Sequence, residues 1–282
     1  MPLLIRPLSE DDLESADEIL KSAFQSPSSR LMELHLYRKI QPDGWFLALQ
    51  NETPVGMVGA TLYATFAQVG MMAVHPHAQR QGVGLALMEH LLAWLEGWHV
   101  PRVMLDASAA GQPLYEKLGF VAYNQVYVLQ RRNGLSLCGY TLRVEPVSIQ
   151  DLDELVAYDT DGFGADRGRV LYALLTTFPE RAFMLRDKEG QITSYVFAQA
   201  NRIGPWVAQH PQDAQVLLQA ALSLPYAGTV SVVAPEENPA AFELLGRYGF
   251  ETVRVNRHMG RGASAPPRQR DRIYGQTSLA LG

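Results

Sequence analysis

Two stretches of this sequence follow the same pattern. L-Y-E-K-L-G-F-V-A-Y at Leu114–Tyr123 lines up with L-L-G-R-Y-G-F-E-T-V at Leu244–Val253, and Gly119-Phe120 falls on Gly249-Phe250. Each stretch reads as a helix that stops at a glycine able to take left-handed backbone and passes into a strand. Self-similarity of this kind marks a duplicated unit. The chain has 282 residues, and domains commonly run to roughly 100–200 residues. Two mixed α/β units are therefore expected, over residues 1–133 and 139–282.

Hydrophobic periodicity and turn residues fill in the units. In the first, strands are expected at 2–8, Trp45–Gln50, Val55–Tyr63, Gln68–His75 and Arg102–Asp106, with two short ones, Phe120–Tyr123 and Val126–Arg131, closing it. Helices are expected after the cap at Ser9, over Ser29–Ile40, over the apolar run with Leu87, Leu91, Trp94 and Leu95, and over Leu114–Leu118. Asn133-Gly134 marks a turn. The second unit repeats the order. Strands fall at Tyr140–Pro146, Arg181–Arg186, Ile192–Ala200, Pro205–Gln209, Thr229–Ala234, Glu251–His258 and Ile273–Leu281. Helices fall at Ile149–Tyr158, Gly168–Thr177, Ala214–Leu222 and Pro239–Arg247. Arg261–Arg270 reads as a mobile loop.

Charge and cysteine content remove several function classes. There are 24 basic and 29 acidic residues, for a net charge of −5. A nucleic-acid binder draws its affinity from neutralising phosphates and shows a basic surplus, so none is expected. Cys138 is the only cysteine, which excludes an intrachain disulfide and an all-cysteine metal site. The longest apolar stretch is interrupted by Glu89, His90 and Glu96 and falls short of the roughly 18 uninterrupted residues of a membrane span. A cytoplasmic protein without a membrane partner is the expectation.

The chemistry concentrates in V-H-P-H-A-Q-R-Q-G-V-G, between a strand and the apolar helix. A helix start carries unpaired N–H groups and a partial positive charge. Gly82 and Gly84 let an anion approach the backbone, and Arg80 adds a formal charge. No Gly-Lys-Ser or Gly-Lys-Thr follows, so this is not a Walker loop, and the third glycine of the dinucleotide fingerprint is missing.

Gln79-x-x-Gly82-x-Gly84 resembles the (Gln/Arg)-x-x-Gly-x-(Gly/Ala) acetyl-CoA motif of the GNAT acetyltransferases. The preceding strand G-M-M-A-V-H-P and the later L-Y-E-K-L-G-F segment resemble that family's fourth strand and late helix, so the likeness covers about residues 2–132. It implies an α/β (α+β) fold of two tandem GNAT-like domains, each a mixed, mainly antiparallel sheet flanked by helices. It implies that the backbone of Met72, Ala73 and Val74 pairs with the pantetheine arm of acetyl-CoA. It implies that the amides of Gln79, Arg80, Gln81, Gly82, Val83, Gly84 and Leu85 hold the pyrophosphate. Tyr115 matches the tyrosine that such enzymes place before the G-F turn. A phenol of pKa about 10 protonates a departing thiolate of pKa about 8.5. The family's loop asparagine is replaced by Ser108, counted with the cofactor residues.

A general base is harder to place. Where some members carry a glutamate on the fourth strand, this chain has about Met71. His75, Asp106, Glu33 or a water chain remain; His75 and His77 read more simply as shaping a turn, Asp106 as ending a strand and Glu33 as a solvated helix residue. No metal is expected.

The second unit lacks the donor features. H-P-Q-D-A-Q stands in place of the glycine segment, Asp213 would repel a diphosphate, and Leu245 stands where Tyr115 does, although Asn238 restores the loop asparagine. It is similar to the degenerate partner domains of tandem GNAT proteins. It reads as a wall for the acceptor site or as a packing domain. Asp166 reads as a helix cap, and Arg268, Arg270 and Arg272 as a solvated run or a site for an acidic substrate. The expected activity is acetyl transfer from acetyl-CoA to a primary amine of a small molecule or peptide, by direct attack in a ternary complex. The alternatives are a non-catalytic acyl-CoA or small-ligand binding module and an enzyme using a longer acyl-CoA. Membership of the family also implies a possible homodimer.

Overall fold

The computed structural model describes residues 3–132, 144–264 and 268–282. Asn133-Gly134, Cys138 and most of the strand expected at Tyr140–Pro146 lie outside them. The first half runs β1 (Leu3–Pro7), α1 (Leu13–Phe24), α2 (Leu31–Ile40), β2 (Trp45–Gln50), β3 (Thr53–Leu62), β4 (Ala67–Val74), α3 (Val83–Gly97), β5 (Arg102–Ala107), α4 (Gln112–Lys117) and β6 (Val121–Arg131). The second runs β7 (Glu145–Pro146), α5 (Leu152–Phe163), α6 (Gly168–Thr177), β8 (Ala182–Arg186), β9 (Ile192–Ala198), β10 (Ile203–Ala208), α7 (Pro211–Leu222), β11 (Ser231–Pro235), α8 (Pro239–Arg247), β12 (Phe250–Gly262) and β13 (Ile273–Gly275). The duplicated order is plain, and its local signals hold. Ser9 and Ser148 both open a short 3-10 turn through a capping box with the aspartate three positions on, Asp12 and Asp151. Gly119 and Gly249 both take positive φ, +83° and +78°.

The halves are joined by their last strands. The larger sheet has the order β1-β2-β3-β4-β5-β12-β6-β11. β12, from the second half, lies antiparallel to β5 of the first, and β6, from the first, lies antiparallel to β11 of the second. Each half thus lends a strand to the other's sheet. In the central pair Val126 faces Asn256. Laying Gly119 on Gly249 puts those same two residues on one another, so an approximate two-fold axis passes through the β6–β12 pair. The remaining strands form a second sheet, β13-β10-β9-β8-β7.

Two expectations are corrected here. The strands expected at Phe120–Tyr123 and Val126–Arg131 are one strand, β6. Asn124-Gln125 has no glycine or proline to fold it back, and β12 supplies the neighbour that a hairpin would have made. The strand expected over Ile273–Leu281 stops at Gly275; the rest crosses to the first half, where Tyr63 donates to the Leu281 carbonyl at 2.7 Å and Gln68 to that of Leu279 at 3.2 Å.

Apolar burial follows the same division. Val69, Leu87, Leu91, Leu105 and Phe120 fill the space between the large sheet and α3. On the opposite face Leu20, Tyr37 and Phe66 of the first half pack with Phe163, Leu174 and Leu281 of the second. Each fully buried side chain of this size contributes roughly 1.5–3 kcal/mol, so the contact between halves is part of the folding core.

Candidate active site

β4 and β5 run parallel, but they pair only at Ala67–Val103, Gln68–Met104 and Val69–Leu105. Beyond that point they part. The cause sits on β4, where Met71 takes φ +52° and the register against β3 slips between Gly59 and Met57. This is a β-bulge, and a positive φ at methionine is strain of about 1–3 kcal/mol. Past the bulge β4 stays paired to β3 on one side and is open on the other. The His75 N–H donates to the Val55 carbonyl at 2.8 Å, so alternation turns the Val74 N–H and carbonyl toward the opening. Met72 and Val74 lie against Gly84 of α3, while Met71 and Ala73 face the core shared with the second half.

The glycine segment follows directly. Pro76–Ala78 forms a 3-10 turn, with the His75 and His77 rings 4.2 Å apart. Gln79 donates to the Val74 carbonyl at 2.9 Å and Gln81 to that of His77 at 2.7 Å, which ties the loop to the strand end. The helix ladder begins with the Ala86 N–H on the Gly82 carbonyl at 3.0 Å. From Arg80 to Leu85 the backbone N–H groups have no acceptor among the described residues. Consecutive free amides at a helix start form an anion cradle. The two glycines serve it differently. Gly82 holds φ +84°, and a Cβ there would meet nothing. A Cβ on Gly84 would stand 3.2 Å from Met72 Cε and 3.5 Å from Leu114 Cδ2, so Gly84 keeps helix and strand close.

Tyr115 is buried on α4, with Phe120 edge-on at 6.0 Å. Burial pushes its phenol up to about 12, so it stays protonated across the neutral range. Its hydroxyl has no hydrogen bond among the described residues. Ser108 accepts the Gly111 N–H on its Oγ at 3.2 Å. Asn238 does the same for Ala241 at 3.1 Å and also donates to the Ile273 carbonyl at 3.1 Å. Asn238 is thus the N-cap of α8, whereas Ser108 closes the turn that leads into α4, whose N-cap is Gly111.

On the other face of the sheet the structure brings together a pair that sequence reasoning left apart. Asp106 is the first residue of β5 beyond its pairing with β4, and β12 sets His258 opposite it. His258 Nδ1 lies 2.6 Å from Asp106 Oδ1, and both side chains are closed to solvent. An ionised Asp106 selects the Nδ1–H tautomer and leaves Nε2 as a basic lone pair. That Nε2 has no partner among the described residues. Burial lowers the proton affinity of His258, Asp106 raises it, Arg270 and Arg268 lower it, and the result lies below the ordinary imidazole value. The missed signal was β6 itself, an unbroken strand that needed a partner from elsewhere.

Glu33 is no solvated helix residue. It accepts from Arg30 and from Arg202 of the second half, both at 2.9 Å. Burial pushes its carboxyl up, but the two arginines outweigh burial and hold it below the usual value. His75 Nδ1 is buried without a partner at the loop start. Asp166 accepts the Gly168 N–H at 2.7 Å, a cap on α6.

In the second half the equivalent opening, between β10 and β11, is filled. β13 pairs with β10 at Trp206–Gly275 and Val207–Ile273. On its other side the Gln276 N–H donates to the Val233 carbonyl at 2.7 Å. α7 begins on Pro211 and has Asp213 in its first turn. Neither a cleft nor an anion cradle is left there.

Among the described residues no three His, Cys, Asp or Glu side chains are grouped as a metal site, and no helix is long and apolar enough to cross a membrane. Residues 13–120 match the model of the acetyltransferase (GNAT) family, and residues 155–275 that of an acetyltransferase (GNAT) domain. The chain is 27% identical to an uncharacterised N-acetyltransferase, YitH, of Bacillus subtilis, over 73% of this chain and 74% of that one. It is 34% identical to the ribosomal protein bS18-alanine N-acetyltransferase of Escherichia coli, over 41% of this chain and 79% of that one. A putative acetyltransferase from Pyrococcus horikoshii has the same overall structure, with TM-score 0.88 at 28% identity, covering 99% of this chain and 96% of that one.

Proposed function

Because the chain belongs to the GNAT acetyltransferase family through both of its halves, we propose that it carries one working site, at the β4–β5 opening, and transfers acetyl from acetyl-CoA to a primary amine. In this reading residues 1–133 hold the donor and residues 139–282 wall the acceptor side. The observation that carries it is the run of unpaired N–H groups from Arg80 to Leu85. They suit a pyrophosphate, with Gln79, Arg80, Gln81, Gly82, Val83, Gly84 and Leu85 around it. The Val74 backbone, with Met72 and Ala73 beside it, suits the amide groups of the pantetheine arm. Ser108 contributes by fixing the start of α4, which carries Tyr115.

Two groups on opposite faces of the opening divide the chemistry. His258 Nε2, oriented by Asp106, takes the proton of the attacking amine, directly or through a water. The amine nitrogen bonds to the thioester carbonyl carbon, and the C–S bond breaks. Tyr115 protonates the leaving thiolate and is itself reprotonated from solvent. Exclusion of water raises the proton affinity of that thiolate as well as that of the phenol. The products are an N-acetylated amine and CoA.

Calorimetry with acetyl-CoA tests the donor site. Binding with micromolar affinity that disappears in a Gly82→Glu/Gly84→Glu protein is expected. Unchanged binding in that protein, or none in the unaltered chain, overturns the reading.

A further inference from the structure

A guanidinium removed from water needs acceptors for its N–H groups, since an unmatched buried cation is strongly destabilising. Two arginines of the second half differ on this point. Arg167 is satisfied: Nε and Nη2 donate to the two oxygens of Asp159 at 2.6 and 2.7 Å, and Nη1 donates to Thr277 at 2.9 Å. Arg268 presents the same edge, but its Nε and Nη2 are shut off from solvent with no acceptor. Two neighbouring rings lie against its guanidinium, Phe66 at 4.2 Å and Phe163 at 5.2 Å to the ring centroids, with the rings themselves 5.4 Å apart. Among the described residues no carboxylate lies within ion-pair distance of it. Burial first, and Arg270 next, push its pKa down to about 9, which leaves it a cation at neutral pH. The run expected from the sequence as solvated or as a site for an acidic substrate is partly covered, with Arg268 and Arg272 half-buried. Arg270 is buried, its Nε on Glu237 Oε1 at 2.7 Å and its Nη2 without a partner.

The position of this edge matters as much as its vacancy. Phe66 and Gln68 share the face of β4 that looks to the second half, and Met104 and Asp106 share the matching face of β5. Arg268 and Arg270 both act electrostatically on His258, and Asp106 on Arg268. Arg270 reaches the same strands through Glu237, which accepts from Asn124 at 2.6 Å beside His258 on the β6–β12 ladder.

We propose that the Nε/Nη2 edge of Arg268 receives a carboxylate of the acceptor, so that the acceptor is a primary amine that also carries a carboxylate, such as a free amino acid. The proposal rests on the acyl-transfer reading and names the substrate class of that same site. A planar carboxylate fits a two-donor guanidinium edge, as Asp159 fits that of Arg167. The amine then lies on the side of Asp106 and His258.

The test uses matched pairs and a binding readout. Phenylalanine against phenethylamine, leucine against isoamylamine and lysine against cadaverine are titrated calorimetrically into the full chain saturated with CoA, with phosphoethanolamine as the phosphate arm. In at least one pair the amino acid is expected to bind on the order of 10- to 100-fold more tightly than its decarboxylated partner. Arg268→Gln should erase that preference, and Arg268→Lys, which keeps the charge but not the edge, should retain only part of it. Acetyl-CoA affinity should stay within about twofold in both. Equal binding within every pair, no binding by any amine, a preference that survives Arg268→Gln, or a preference for phosphoethanolamine overturns the proposal. Acetyl-CoA binding, followed separately, shows whether the donor-site reading fails with it.

Discussion

The two halves meet the same structural problem and solve it differently. In each, a fourth and a fifth strand lead toward a helix start. In the first half β4 bulges at Met71, the strands part after Val69–Leu105, and the space stays open. In the second, β13 fills the space between β10 and β11, bonded to both. The difference shows that drift in a duplicated acyltransferase need not stop at lost motif residues. A strand lies where the first half has its opening, and backbone hydrogen bonds from β13 and Gln276 satisfy the edges it meets. In the proposed mechanism the second half keeps a use nonetheless, because β12 carries His258 to Asp106.

The largest effect should come from closing the open cleft. Gly84→Glu places a bulky anion against Met72 and Leu114 and should weaken acetyl-CoA binding by more than about 100-fold, since juxtaposed like charges cost several kcal/mol. Asp213→Gly in the filled half should leave that affinity unchanged; calorimetry on both proteins makes the comparison. Next, Tyr115→Phe should lower kcat by roughly 100-fold with acetyl-CoA affinity retained. Leu245→Tyr, the reciprocal change, should restore no activity to it, and detectable rescue would break the asymmetry.

His258→Gln should lower kcat by roughly 10- to 100-fold, and its pH profile is the sharper measurement. A base works only when deprotonated. The folded pKa of His258 is depressed by burial and by Arg270 and Arg268, against the pull of Asp106, with Tyr123 packed on the ring. The acid limb of kcat/KM should therefore fall below the pH of about 6.5 that an ordinary imidazole would give, and the variant should lose that limb. Smallest is the expected effect on the filled cleft. A Cβ on Gly275 would stand 3.0 Å from the Ile203 carbonyl oxygen, so Gly275→Val should cost about 1–3 kcal/mol of stability by overpacking. Denaturant midpoints should move while acetyl-CoA affinity stays constant.

Much of the fold was legible because its signals are local. Ser9 before Asp12, the apolar run of α3 and the glycines at 119 and 249 each act within a few residues. β2, α6 and α8 run where the periodicity places them. The glycine-bearing turn before α3 was legible for the same reason. What escaped were pairings at long range. Nothing in Asp106 or His258 points to the other, and no period in the chain announces that β12 rather than a hairpin partner borders β5. The sequence left the arginine run after Gly262 open between a solvated run and a site for an acidic substrate, because composition carries no information about what covers a side chain.

The duplication, most of the element order and the glycine-bearing start of α3 can be read along the chain, since propensity, capping and glycine backbone freedom are properties of neighbouring residues. It took the packed fold to show that the halves exchange strands, that β4 and β5 part while β13 lies beside β10, and that Asp106 meets His258. Those depend on which strand edges find partners and which polar groups are left buried without one, and that is settled when distant segments pack.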